Sequence, residues 1–214
     1  MFDEGLPDLK LGSFFHLGFD CQFLPFNSWE KSIELKKYLI PDTSFLNLEE
    51  PFAQVHMGWN EEGISFLIQS QQAPSKSFFP VISKGDSVEI FLDTRDVKSS
   101  GFTTKFCHHF FFLVEPTEGH DRGEITRFRN EDLHELCEST ALMLAVTSSS
   151  KGYTLKCFIP SHCLFGYDPK EFNRLGFTYR INRLNAPAQH FSVVTEEFPI
   201  EQQPALWSSI KLKT

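Results

Sequence analysis

Polar and apolar residues alternate with a period of two through much of the 214-residue chain, in runs cut off by turn-forming residues. This is the pattern of half-buried β-strands. Residues 53–59 alternate, Asn60, Glu61, Glu62 and Gly63 make a turn signal, and residues 64–68 return as the second arm of a hairpin. Within residues 86–93, Val88, Ile90 and Leu92 fall on one face and Glu89, Phe91 and Asp93 on the other. Residues 106–114 are almost continuously apolar, which predicts a central strand covered on both faces. Residues 141–147 and 153–159 pair as a further hairpin around residues 148–152. Residues 175–181 alternate again, with Thr178, Arg180 and Asn182 opposite the core face, and residues 189–194 and 206–212 supply edge or closing strands. Helix is scarce. Asn130 caps a short predicted helix through Glu138, with Glu131 and Asp132 at its N-terminal dipole, and residues 29–38 show weak helical periodicity. Many short strands with few helices predict an all-β sandwich or jelly roll.

Residues 69–83 are the most linker-like stretch and are too short to separate domains, and charge and turn residues gather in a second loop at 115–130. The expected organisation is one β-sandwich domain over residues 1–214, with residues 1–50 as an N-terminal extension packing on it. The 24 Phe against 4 Tyr and 3 Trp reinforce the reading, because Phe both fills cores and favours strands. A net charge of −8 without a basic stripe argues against a nucleic-acid partner. The N-terminal residues lack a signal-peptide pattern, and no stretch approaches the ~20 apolar residues of a spanning helix. The expectation is therefore a cytoplasmic chain without membrane contact, unless it leaves by a route with no cleaved signal. Cys21, Cys107, Cys137, Cys157 and Cys163 are odd in number and lack CxxC spacing, so they read as buried, reduced thiols.

Candidate chemistry lies on the polar face that alternation creates. Glu89 and Asp93 share one side of a strand, Arg180 and Asn182 one side of another, and Lys156 the non-core side of a third. On neighbouring strands these groups, with His109 at the rim, would offer donors and acceptors to a small polar ligand. The competing reading is a structural ion-pair network tying the strands together. Cys107 and His109 point to one side of their strand and His108 to the other; a zinc site there would need two more ligands, with His162 and Cys163 as candidates, and packed side chains are the alternative. Asp86, Asp93 and Asp96 could collect calcium or cap turns. No nucleophile elbow, phosphate loop or metalloprotease helix is present, so the chain reads as non-catalytic, and no cofactor or metal is assigned to it.

Several segments resemble family 9 carbohydrate-binding modules, of the DOMON-like superfamily. AQVHMGWNEEGISFLIQ from Ala53 is similar to that family's early hairpin, and GDSVEIFLDTRD from Gly85 to its most recognisable segment. GYTLKCFIPSHCL from Gly152, with RLGFTYRINR from Arg174, looks like its late hairpin and penultimate core strand, and PALWSSIKL from Pro204 like its closing strand. A closer likeness, through DTRD, KFCHHFFFL, GYDPKEFNRLGFTYRINR and QHFSV, is to a bacterial subgroup of single-domain relatives and bears on fold rather than activity. The resemblance implies a β-sandwich that binds glycans. Sugar-binding members clamp their ligand between two Trp rings, whereas here Trp59 sits at the structural hairpin position and Trp207 in the closing strand, leaving Trp29 as a stacking platform. Some DOMON relatives bind haem through Met and His, for which Met57 with His109 or His190 would be the required pair; Met57 as core filler is the simpler reading. Two functions remain. The first is a non-catalytic module that binds a glycan or other small polar ligand through Glu89, Asp93, His109, Arg180, Asn182 and Trp29. The second is a protein–protein adaptor or accessory subunit that docks a partner on its surface, with the polar face structural.

Overall fold

A computed structural model describes residues 17–26, 29–193 and 199–214. Among them eleven strands form one continuous hydrogen-bonded sheet: β1 Asp20–Phe23, β2 Ala53–Asn60, β3 Gly63–Ser70, β4 Ser87–Asp93, β5 Cys107–Thr117, β6 His120–Glu124, β7 Met143–Ser149, β8 Gly152–Pro160, β9 Arg174–Arg183, β10 Ala186–His190 and β11 Ser208–Lys213. The order is β6-β5-β4-β9-β11-β1-β2-β3-β8-β7. One edge of β9 is shared, with β11 pairing its first half and β10 its second. The sheet folds over so that its two halves enclose a core. Phe66 of β3 stacks on Phe177 of β9 with ring centroids 5.9 Å apart, although several strands separate them along the hydrogen-bonded path.

Alternation explains what fills that core. Val88, Ile90 and Leu92 of β4 and Leu175, Phe177, Tyr179 and Ile181 of β9 all belong to the main buried cluster, as do Phe110, Phe112 and Val114 of β5. The predicted hairpin of residues 53–68 is present as β2 and β3. Gly63 starts the return strand at φ +147°, where a side chain would run into the Ile159 carbonyl of β8.

Three expectations are corrected. The segment expected to pack on the sandwich contributes a strand to it, because β1 pairs in parallel with β11 on one side and β2 on the other and so joins the two halves. The loop expected at 115–130 contains a hairpin, since β5 runs on to Thr117 and turns at Glu118 and Gly119 into β6. The helix expected over 130–138 does not form. Those residues are irregular: the Cys137 amide donates to Glu124 Oε2 and His134 reaches Glu124 Oε1, contacts that outweigh a short helix of modest propensity. The weak periodicity at 29–38 resolves into α1, Trp29–Ser32, and a 3₁₀ turn at Lys36–Tyr38, with a second one-turn helix, α2, at Ser44–Asn47.

The cysteine reading is also revised. Cys21, Cys107 and Cys157 are buried free thiols, but Cys137 and Cys163 form a disulfide with Cα atoms 5.1 Å apart. It ties the irregular segment after β6 to the 3₁₀ turn that follows β8.

Phe177 lies fully buried against the rings of Phe19, Phe66, Tyr179 and Phe191. Phe177→Ala should destabilise the fold by about 3–5 kcal/mol, read as a lower urea midpoint at unchanged slope. A loss under about 1 kcal/mol would mean that the two sheet halves do not meet there.

Candidate functional site

The side of β4, β5 and β9 turned away from the core carries the polar residues, and their register brings them together. Glu89 lies directly opposite Arg180, and Ser87 opposite Asn182, while His109 pairs with Phe91 and so sits diagonal to Glu89. Glu89 receives four hydrogen bonds. Arg180 donates through Nε to Oε1 (2.6 Å) and through Nη2 to Oε2 (2.8 Å), Asn182 donates to Oε1 (2.7 Å), and His109 Nε2 donates to Oε2 (2.8 Å). Each carboxylate oxygen is therefore saturated. Asn182 also reaches Ser87 Oγ at 2.9 Å.

This face is covered. Phe91 and Cys107 pack with Val193, Ile200 and Trp207 from the segment between β10 and β11, and Phe111 and Leu113 pack with Ile82 on the other flank. Glu89 is 1% exposed as a result, in place of the outward-facing position alternation suggested. The network reaches solvent at one end, where Arg180 Nη1 meets Glu201 at 2.7 Å and the Glu201 side chain is 30% exposed. Burial disfavours the Glu89 charge, but the hydrogen bonds from His109 and Arg180 and the guanidinium charge more than reverse this and bring its carboxyl down to about 2.

The other sequence candidates separate from this cluster. Asp93 is buried at the end of β4 and caps a turn, accepting from the Arg95 amide (2.9 Å) and the Val97 amide (2.7 Å); burial nevertheless pushes its carboxyl up. Asp86 likewise accepts from the Ser75 and Leu184 amides, and Asp96 pairs with Lys98 at 2.7 Å, so these aspartates organise turns. Lys156 is in the other half of the sheet, on β8, and pairs with Glu34 at 2.9 Å. The Trp29 side chain lies outside the described residues. Trp59 and Trp207 are buried and donate to the Lys213 and Ile200 carbonyls. Met57 is in the core, while His109 and His190 bind Glu89 and Glu49, so the three do not assemble a haem ligand pair. Cys163 is disulfide-bonded and Cys107 faces the apolar cluster with Trp207, which removes the proposed Cys107–His109 zinc set.

A different cluster does form on the core side of β5. His108, Glu124 of β6 and His134 converge with all three residues buried, their nitrogen and oxygen atoms within 4.8 Å of one another. Sequence spacing carries no local sign of it, because Glu124 lies in the loop expected at 115–130 and His134 in the helix expected at 130–138. A cleft of about 430 Å³, lined among others by Lys36, Asp42, Phe52, Gln54, Tyr179 and Gln189, includes none of the predicted site residues. There Gln189 is itself engaged, accepting from the Phe52 and Ala53 amides and donating to the Ala53 carbonyl.

Because the Glu89 carboxyl sits near 2 when folded and near 4.5 ordinarily, its ionised form contributes stability that is complete above about pH 4.5 and lost as pH falls toward 2. Glu89→Gln should be less stable at neutral pH, and its stability should fall less steeply than that of the wild type between those values. Parallel acid limbs in urea titrations would show that Glu89 is not held in this way.

No protein-family model matches the sequence, and no curated protein matches it significantly. Solved structures do match. A family 9 carbohydrate-binding module from Caldicellulosiruptor kristjanssonii in complex with cellotriose superposes with a TM-score of 0.62 at 15% identity, covering 92% of this chain and 94% of the module. A family 9 module of the same organism in complex with glucose gives 0.57 at 16% identity, over 91% and 94%. At such identities the common property is architecture: the chain has the all-β fold of the family 9 carbohydrate-binding modules.

Proposed function

We propose that this chain is a non-catalytic carbohydrate-binding module, with its sugar contacts at the solvent end of the Arg180 network. The observation that carries the reading is a planar guanidinium held by a saturated carboxylate and reaching the partly exposed Glu201, in a fold whose solved examples hold glucose and cellotriose. Sugar hydroxyls are recognised by such charge-assisted hydrogen bonds. Glu201 and Arg180 Nη1 are the groups a docking sugar would meet. Glu89, Asn182 and His109 fix the guanidinium plane from behind. They are positioning residues in this arrangement, and Asp93 plays a turn-capping part.

The same geometry argues against hydrolysis by a pair of carboxylates. Glu89 has no free lone pair and Asp93 is committed to backbone amides, so neither is poised as acid or base. The adaptor reading has an observation of its own: Leu35, Leu39, Phe45 and Leu48 are exposed in the segment before β2, Phe45 at 71% and Leu48 at 86%. A partner protein docked there would lie beside β10, since Glu49 binds His190 and Thr43 accepts from the Ser192 amide.

Calorimetric titration with glucose and cello-oligosaccharides, preceded by a glycan array, tests the proposal. Arg180→Ala is a poor probe, because stranding the buried Glu89 carboxylate should cost about 3–5 kcal/mol of stability. Glu201→Gln is better placed, since its side chain is partly exposed. It should weaken sugar binding about 10- to 100-fold, the loss expected for a hydrogen bond to a charged group, with the thermal midpoint nearly unchanged. Absence of glycan binding, or wild-type affinity in Glu201→Gln, would refute the assignment.

A further inference from the structure

The histidine–glutamate cluster inside β5 and β6 has a distribution of polar contacts that hydrogen bonding alone serves badly. Glu124 Oε1 is approached by His108 Nδ1 at 2.9 Å, His134 Nε2 at 2.8 Å and Thr126 Oγ1 at 2.7 Å, whereas Oε2 receives the Cys137 amide at 2.8 Å. One carboxylate oxygen has two lone pairs, and three polar groups crowd upon it. The tautomer of His134 sharpens the conflict. Its Nδ1 is 2.7 Å from the Lys105 carbonyl, which can only accept, so the proton is on Nδ1. Neutral His134 then turns the lone pair of Nε2 toward an anionic oxygen, and a cation must lie between them. On the far side of the cluster, His108 Nε2 faces the Phe165 backbone carbonyl without good hydrogen-bond geometry, so a proton shifted there from Nδ1 has an acceptor close by. Nδ1, freed of that proton, would exchange its hydrogen bond to Glu124 Oε1 for a bond to the ion.

We propose that His108 Nδ1, Glu124 and His134 Nε2 bind a divalent transition-metal ion of the zinc class. Two imidazole nitrogens and one carboxylate form a borderline donor set suited to zinc, at bond lengths of about 2.0–2.1 Å and hence ligand separations of roughly 3.3 Å. The Nδ1–Oε1 and Nε2–Oε1 distances of 2.9 and 2.8 Å lie a few tenths of an ångström short of that, so a small spreading of the two rings admits the ion. Carboxylate Oε2 or a water would complete the coordination.

The surroundings are those of a supported site. The Lys105 carbonyl orients His134, as backbone carbonyls commonly orient metal-bound histidines. Thr126 Oγ1 donates to Glu124 and itself accepts from the His109 amide, and the Cys137 amide fixes the second carboxylate oxygen. Phe110 stacks beside His108, Phe128 meets His134 edge-on and Phe165 lies parallel to it, giving the cluster an apolar wall. An ion here would join β5, β6 and the irregular segment carrying His134 and Cys137. Its role is structural, and it stands apart from the sugar site on the other face of β5.

The test uses the full chain stripped with a chelator and confirmed folded by circular dichroism. Zn²⁺ followed by calorimetry should bind one ion per chain and raise the thermal midpoint, and Co²⁺ should develop ligand-field bands of low coordination number. X-ray absorption of the Zn²⁺ form should show imidazole and oxygen ligands at about 2.0–2.1 Å. His134→Gln should lower affinity at least 100-fold and abolish the thermal shift, and Thr126→Val should lower affinity about 10- to 100-fold. If the His134 variant fails to fold, the absorption spectrum of the wild-type complex decides. Folded wild type that takes up no stoichiometric metal, a metal shell without imidazole, or wild-type affinity in a folded His134→Gln would overturn the site and leave a proton as the bridging cation.

Discussion

The outer face of this sheet is organised by one buried carboxylate. Glu89 is removed from water between two apolar clusters, and an uncompensated charge there would cost several kcal/mol. It is tolerated because both neighbouring strands supply donors: Arg180 and Asn182 from β9 on one side, His109 from β5 on the other. That requirement fixes register. A slip of one residue would turn Glu89 into the core and Val88 or Ile90 out of it, so hydrophobic burial and ion pairing select the same pairing.

The core is closed by a second constraint, which comes from the beginning of the chain. Strand β1 is short, but it lies between β11 and β2 and pairs in parallel with both. Without it the two halves of the sheet would meet through side chains alone. The fold thus depends on a contact between residues near 20 and residues near 210, which is why the first fifty residues could not be read as part of the sheet. Four strand residues are too few for a periodicity to emerge, and parallel pairing leaves no turn signal in sequence.

What was legible follows the same logic. Alternation located the hairpin of β2 and β3, the inward residues of β4 and β9, and the Glu89–Arg180–Asn182–His109 grouping, because each of those strands has one face on the core. Alternation could not show that the other face would also be covered, since Ile200 lies in no expected strand and Trp207, at the start of the expected closing strand, packs on β4 and β5 residues distant in sequence. Nor could it place His134 and Cys137. Their segment carries plausible helix-capping residues, and its irregular course is set by Glu124, a partner distant in sequence. The Cys137–Cys163 bond arises from the same non-local placement. A disulfide persists in oxidising compartments, so this pair runs against the reducing environment expected from cysteine number and spacing.

Strand β5 connects the two polar clusters, with His109 serving Glu89 on one face and His108 meeting Glu124 on the other. Everything proposed for the outer face requires Glu89 and Arg180 to act as a unit, and a double-mutant cycle on the folded protein measures that directly. With Glu89→Gln, Arg180→Met and the double variant compared by urea unfolding, a coupling of about 2–3 kcal/mol is expected for residues in one buried network. Single losses that simply add would contradict the account.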